Sequence, residues 1–229
     1  MLFRSTLNEP ERRNALSLNM REVLFEILDE AMASDARAIV LAGAGGNFCS
    51  GGDIKSFDPG APLVEIRDRL NRLHRVARIL LTGKKPVIAA VDGYAFGAGV
   101  SLALACDHVV AAKDSRFCAS FNRVALMGDL GLLYTLPLRV GMGKARELLM
   151  LGEIVEAAEA LTIGLVDRLV EPGRVLKAAI ERAKLFAASP PVALAMTKSA
   201  LARMPASLDE VLQMELDGQS ALFQTADHA

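Results

Sequence analysis

One local pattern occurs twice in the first hundred residues: a short apolar segment, a glycine-rich loop, then the start of a helix. It runs through IVLAGAGGNFCSGGDI (39–54) and again through PVIAAVDGYAFGAGVSL (86–102). A continuously apolar segment of five or six residues is what a strand buried on both faces requires. The glycines permit positive φ and a close approach to backbone. The helix starts that follow leave N–H groups without intrahelical partners, which favours negative charge there. Two such ends aimed at one point would form an oxyanion hole; two tight turns would give the same string. Neither loop carries GxxxxGK[ST]. The candidate GxGxxG ends in Phe48, so phosphate-loop readings fail.

The rest of the chain extends this alternation. Strands are predicted at 36–43, 86–91, 108–112 and 165–170. Helices are predicted over 18–33 (capped by Ser17 or Asn19), 62–82, 100–106, 141–152, 155–163, 175–188, 191–204 and 207–223. Strand and helix alternate in the first half and helices dominate the last third, which defines an α/β class. The segment 87–112 is apolar enough to suggest a membrane span. Asp92, Gly93, Gly97, Gly99, Asp107 and His108 interrupt it, so strand, loop and helix fit better.

A net charge of -1 gives no basic footprint for nucleic acid or an anionic membrane. Cys49, Cys106 and Cys118 form no CxxC pair, and with three scattered His residues they argue against a zinc site and for a reducing, cytoplasmic setting. The opening residues lack a signal-peptide stretch.

Five segments appear in order: LNEPERRNALS, AIVLAGAGGNFCSGGDI, KKPVIAAVDGYAFGAGVSLALACD, RFCASFNRVALMGDLG and LPLRVGMGKARELLMLGEIVEAAEALTIGLVDRLV. In this order and at these separations, the chain resembles the crotonase (enoyl-CoA hydratase/isomerase) family. The resemblance implies a crotonase-like ββα spiral at 1–188 that binds acyl-CoA. It implies a helical trimerisation region at 189–229, hence a homotrimer or a hexamer of two trimers. It implies no cofactor beyond the coenzyme A of the substrate, and neither metal, nucleic acid nor membrane as partner. Against that pattern the N-terminus is expected to lack a full opening hairpin, and the C-terminus to stop before a site-closing segment.

By the same resemblance, the N–H groups of Gly52 and Ala98 form the oxyanion hole. Asn14, Ala15, Leu16, Gly52, Asp53, Ile54, Lys55, Ala98 and Phe121 contact substrate, and Arg12, Arg13 and Lys55 meet phosphates. Phe57, Leu63, Leu70, Phe121 and Leu133 are expected around the acyl chain. A hydratase of this family uses two glutamates, and the matching positions here are Ser101 and Phe121. No Glu occurs between 66 and 146. The carboxylate in a position the family uses is Asp129, in MGDLG. In an apolar pocket its pKa should rise through desolvation, and alone it can shuttle one proton between two carbons. The expected reaction is therefore a 3-enoyl-CoA to 2-enoyl-CoA shift. Hydration is the alternative, and an acyl-CoA-binding partner subunit of weakened activity is a third reading. Asp129 as the cap of a helix beginning near Leu130 is the structural alternative. Asp53 is expected to cap its own helix, Asp107 and His108 to serve the fold, and Cys49 and Cys118 to fill the core. His74 is expected at a packed or rim position; paired with Asp129 it would suit a hydrolytic, dehalogenase-like member.

Overall fold

The computed structural model describes residues 1–56, 58 and 60–228; the Lys55 side chain and Phe57, both expected at the site, lie outside the described residues. Eight strands alternate with eight helices. They are β1 (Leu2–Leu7), α1 (Leu18–Ala33), β2 (Ala38–Gly43), α2 (Leu63–Thr82), β3 (Val87–Val91), β4 (Tyr94–Phe96), α3 (Ala98–Leu104), β5 (His108–Ala112), β6 (Arg116–Cys118), α4 (Leu132–Leu151), β7 (Ile154–Glu156), α5 (Ala157–Thr162), β8 (Arg168–Val170), α6 (Val175–Ala188), α7 (Pro191–Leu201) and α8 (Leu208–Leu222). Five strands form a wholly parallel sheet in the order β1-β2-β3-β5-β8. The small sheet β4-β6-β7 stands beside it.

The apolar runs of β2 and β3 are explained by what covers them. Ile39, Leu41, Val87, Ala89 and Val91 join the core that contains Leu24 and Leu28 of α1, Leu73, Val76 and Leu80 of α2, and Val100 of α3. The alternate residues Ala38, Val40, Ala42, Ile88 and Ala90 face α6 instead, where Ala178, Ala179 and Ala183 allow a close approach. With period two and both faces covered, no position in these strands is free to be polar. Each of the larger buried side chains, such as Leu28 or Ile88, contributes roughly 1.5–3 kcal/mol by leaving water. Among the described residues no helix is long and apolar enough to cross a membrane.

Several boundaries differ from expectation. Residues 2–7, given no element above, pair in parallel with β2 as an edge strand. Helix α4 begins at Leu132 rather than Gly141, although Pro137 lies inside it and Gly141 (φ 76, ψ 158) kinks it. The expected helix over 155–163 gives up its first residues to β7, which pairs antiparallel with β6. The stretch 94–96, read as loop, is β4.

Candidate active site

The two glycine loops leave the carboxyl ends of β2 and β3 and then run side by side. The Phe48 N–H donates to the Asp92 carbonyl at 2.8 Å and the Cys49 N–H to that of Tyr94 at 2.9 Å, while the Phe96 N–H donates back to Cys49 at 3.0 Å. Cys49 thus pairs in parallel with Ala95. Further along, a Cβ built on Gly51 would lie 3.8 Å from the Ala98 nitrogen, so the two loops are still adjacent where Gly52 and Ala98 follow. On the other side, the Leu16 N–H donates to the Gly51 carbonyl at 2.7 Å and the Asp53 N–H to that of Leu16 at 3.3 Å. Because a trans peptide points its C=O and the next N–H in opposite directions, the Gly52 N–H points away from Leu16, toward the Ala98 side. Ala98 opens α3, where N–H groups have no intrahelical acceptor. Among the described residues neither N–H has a hydrogen-bond acceptor. Glycine is required at two places in this arrangement. Gly97 lies at φ 50, ψ -120, a region closed to side chains. A Cβ at Gly99 would sit 2.2 Å from the Cys49 carbonyl, so only glycine lets α3 press this closely on the first loop.

The preceding segment acts as a clamp. Asn14 is fully buried at φ 55, and its side chain donates to the carbonyls of Ala44 at 2.8 Å and Asn47 at 2.7 Å while accepting from the Glu9 N–H at 3.0 Å. Its polar groups close the first loop. Leu16 is equally buried, and Ala15 nearly so. Asp53 does not stand as a lone cap: its carboxylate meets Arg12 at 2.5 Å, which also engages one of the expected phosphate cations. Arg13 lies over the Tyr94 ring at 5.5 Å. Ile54 is exposed at the rim.

Beyond these loops opens a cavity of about 280 Å³ between α1, α2 and the turn before α4. Leu18, Ile66, Leu70 and Leu126 give it apolar walls; Arg21, Ser56, Asp58, Arg69 and Asp129 give it polar ones. Of the residues expected around an acyl chain, Leu70 lines it, Phe121 is buried nearby in a 3-10 turn, and Leu63 and Leu133 are exposed instead.

Asp129 has the distinctive environment. Its Oδ1 is buried with no hydrogen-bond partner among the described residues, and burial pushes its carboxyl above the ordinary range against the opposing charges of Arg21 and His74. It caps no helix with its side chain; the residue that caps α4 is Gly131, and Asp129 contributes only its backbone carbonyl, which accepts from the Leu132 N–H at 3.0 Å. Two left-handed residues, Leu130 (φ 51) and Gly131 (φ 82), turn the chain directly after it. Leu130 holds this conformation at a cost of about 1–3 kcal/mol because its side chain is wholly buried, and that anchors the Asp. Ser101 is buried with its hydroxyl toward the Gly97 carbonyl at 3.4 Å, a bond within α3. His74 is exposed at the rim. Asp107 and His108 sit at the opposite end of the sheet, and Cys49 and Cys118 are buried, with Cys49 raised to about 12 by desolvation and therefore inert as a thiolate.

Three cavity residues, Arg21, Arg69 and Asp58, were not singled out in the sequence. A signal existed for two. Arg21 is three residues before the buried Leu24, and Arg69 lies between Ile66 and Leu73 on the apolar stripe of α2, so both fall on faces that pack inward.

The sequence model of the family described as enoyl-CoA hydratase/isomerase matches residues 2–229. The chain is 33% identical over 228 residues to the 1,2-epoxyphenylacetyl-CoA isomerase of Escherichia coli K12, covering 97% of this chain and 87% of that protein. It is 33% identical over 233 residues to the short-chain-enoyl-CoA hydratase of Clostridium acetobutylicum, covering 97% and 86%. A crystal structure of an enoyl-CoA hydratase from Polaromonas sp. JS666 superposes with a TM-score of 0.91 at 35% identity, covering 98% of this chain and 89% of that one.

Proposed function

We propose, from the premise that the chain belongs to the enoyl-CoA hydratase/isomerase family, that it moves a double bond in an acyl-CoA from the 3- to the 2-position. The thioester carbonyl oxygen accepts from the Gly52 and Ala98 N–H groups. The Asp129 carboxylate removes a proton from C2, the C2–H electrons form the C2–C3 double bond through a dienolate, and the same carboxyl returns the proton to C4. One proton leaves and one arrives, so a single carboxylate suffices. The negative charge that builds on oxygen meets two donors fixed by backbone register, each worth a few kcal/mol in the transition state. The observation that carries this reading is the buried, unpartnered Oδ1 of Asp129 in an otherwise largely apolar cavity.

A second reading has one observation behind it. Asp58 lines the same cavity, so two carboxylates border the space a hydrating water would take. Asp58 is exposed and already accepts from the Gly60 N–H at 2.8 Å, which favours a loop role. Assembly as a homotrimer or a pair of trimers is proposed as well, supported by the exposed Leu201, Leu208, Leu212, Leu216 and Phe223 of the C-terminal region.

The test offers a 3-enoyl-CoA and a 2-enoyl-CoA to the wild type, Asp129→Asn and Asp58→Asn. Isomerisation lost in Asp129→Asn, with hydration negligible throughout, supports the single-carboxylate reading. Hydration abolished by either substitution supports the second. Turnover of neither substrate by the wild type, with thioester binding intact, identifies a binding subunit. Because the base must be ionised, kcat/KM for isomerisation climbs with pH, with a midpoint above the ordinary carboxylate range.

A further inference from the structure

The cavity beside Asp129 contains more positive charge than a plain alkenyl chain requires. Arg21 reaches it from α1 and Arg69 from α2. Arg21 is half-buried, and its Nε donates to the Leu16 carbonyl at 3.0 Å, which fixes the guanidinium and leaves its terminal nitrogens unbonded among the described residues. It makes no ion pair with any described carboxylate. Of the acidic groups near it, Asp53 is held by Arg12 and Asp58 by the Gly60 N–H, and Asp129 makes no direct bond to it among the described residues. Arg69 has only a long contact of 3.8 Å with Glu65, on its own helix. Burial disfavours the charge on Arg21, the Asp129 and Asp53 carboxylates favour it, and Arg69 is close enough to disfavour it in turn. A half-buried guanidinium whose terminal nitrogens are unbonded gains from an acceptor placed against them, and a second guanidinium facing the same space adds to that gain. A carboxylate placed between them relieves both, because its two oxygens match the planar N–H fork.

We propose that this cavity selects acyl-CoA thioesters whose acyl chain ends in a carboxylate, with Arg21 as the residue that receives it and Arg69 as its second contact. The inference rests on the reading that an acyl-CoA occupies the site, and it assigns the far end of the acyl chain to the Arg21 side. Leu18, Ile66, Leu70 and Leu126 then cover the methylenes between thioester and carboxylate.

The test measures binding of saturated thioesters, so it does not depend on which reaction Asp129 performs. Calorimetry compares hexanoyl-CoA with its ω-carboxylated counterpart, adipoyl-CoA, on the wild type, Arg21→Gln, Arg21→Lys and Arg69→Gln. The wild type is expected to bind adipoyl-CoA at least tenfold more tightly. Arg21→Gln erases that ratio while hexanoyl-CoA affinity stays within about twofold. Arg21→Lys keeps most of the preference, and Arg69→Gln lowers it by a smaller factor. Equal affinity of the wild type for the two thioesters overturns the proposal. So does an Arg21→Gln protein that loses affinity for both alike, or that loses turnover with an unchanged binding ratio, since Arg21 would then serve only to steady Asp129. If selection is found and no double-bond shift is, the isomerase reading fails and this one stands.

Discussion

The two ends of the parallel sheet treat a buried aspartate in opposite ways. At the amino-terminal end, before β5, Asp107 accepts from the Val87 N–H at 2.7 Å and from Lys198 Nζ at 2.6 Å, while the same ammonium reaches the Lys85 carbonyl at 2.9 Å. At the carboxyl end, Asp129 Oδ1 has no partner. Burial raises the pKa of both, but only Asp107 is opposed by direct hydrogen bonds from the groups it touches. Asp107 is tied by hydrogen bonds where the chain needs only to hold together, beside a His108 Nε2 that is itself unpartnered among the described residues. Asp129 is left open where parallel strands deliver their loops and where open α/β sheets place their ligands. The contrast separates a fold-bearing carboxylate from a candidate reactive one better than pKa direction does.

The largest effect that tests this contrast is Asp129→Asn, which should cut isomerisation about 10²–10⁴-fold in a protein that melts no earlier than the wild type. Spectrophotometric assay beside calorimetric melting decides it; a comparable loss of activity from Asp107→Asn in a fully folded protein would erase the distinction. Next comes Lys198→Met, which strands Asp107 as an unpaired buried charge and should cost about 3–5 kcal/mol of unfolding free energy, read from urea titration. Ala98→Pro removes one donor at a helix position that accepts proline, and is expected to lower kcat about 10²–10³-fold with little change in substrate binding.

The smallest effect concerns stability at the reactive end. The folded state holds the Asp129 proton more firmly than the unfolded chain does, so this residue lowers stability as pH rises from the ordinary carboxylate range through its raised value. Asp129→Asn should therefore gain stability at neutral pH and nothing in strong acid. An equal effect at both pH values would show that ionisation is not its source.

The sequence disclosed what periodicity and burial jointly encode. Strands β2, β3 and β5 were readable because both faces are covered, leaving an unbroken apolar run. Strand β1 was not, since LFRSTL at the sheet edge exposes Arg4 and Thr6. Strands β4, β6 and β7 have three residues each, too few for a period to register. Pro137 and Gly141 concealed the first half of α4, where the surrounding core tolerates one missing hydrogen bond. At the candidate site, Gly52, Ala98 and Asp129 were singled out through motif resemblance. Arg21 and Arg69 were not, because a charged residue on an amphipathic helix reads as solvated until the opposing helix is known. Asn14 was placed at the substrate by resemblance, and its environment makes it a loop clamp.

The two bridges that tie the first loop, Cys49 to Ala95 and Gly52 to Leu16, govern which changes of length a lineage of such chains can accept. A strand alternates its peptide direction at every residue, so inserting one residue between Cys49 and Gly52 turns the critical N–H toward Leu16. Inserting two restores the direction but moves the donor along the strand, away from Ala98. The first loop cannot grow or shrink between these two bridges without giving one of them up. Length variation is thereby displaced to connections outside the pairing, where closure entropy rises only slowly with added residues.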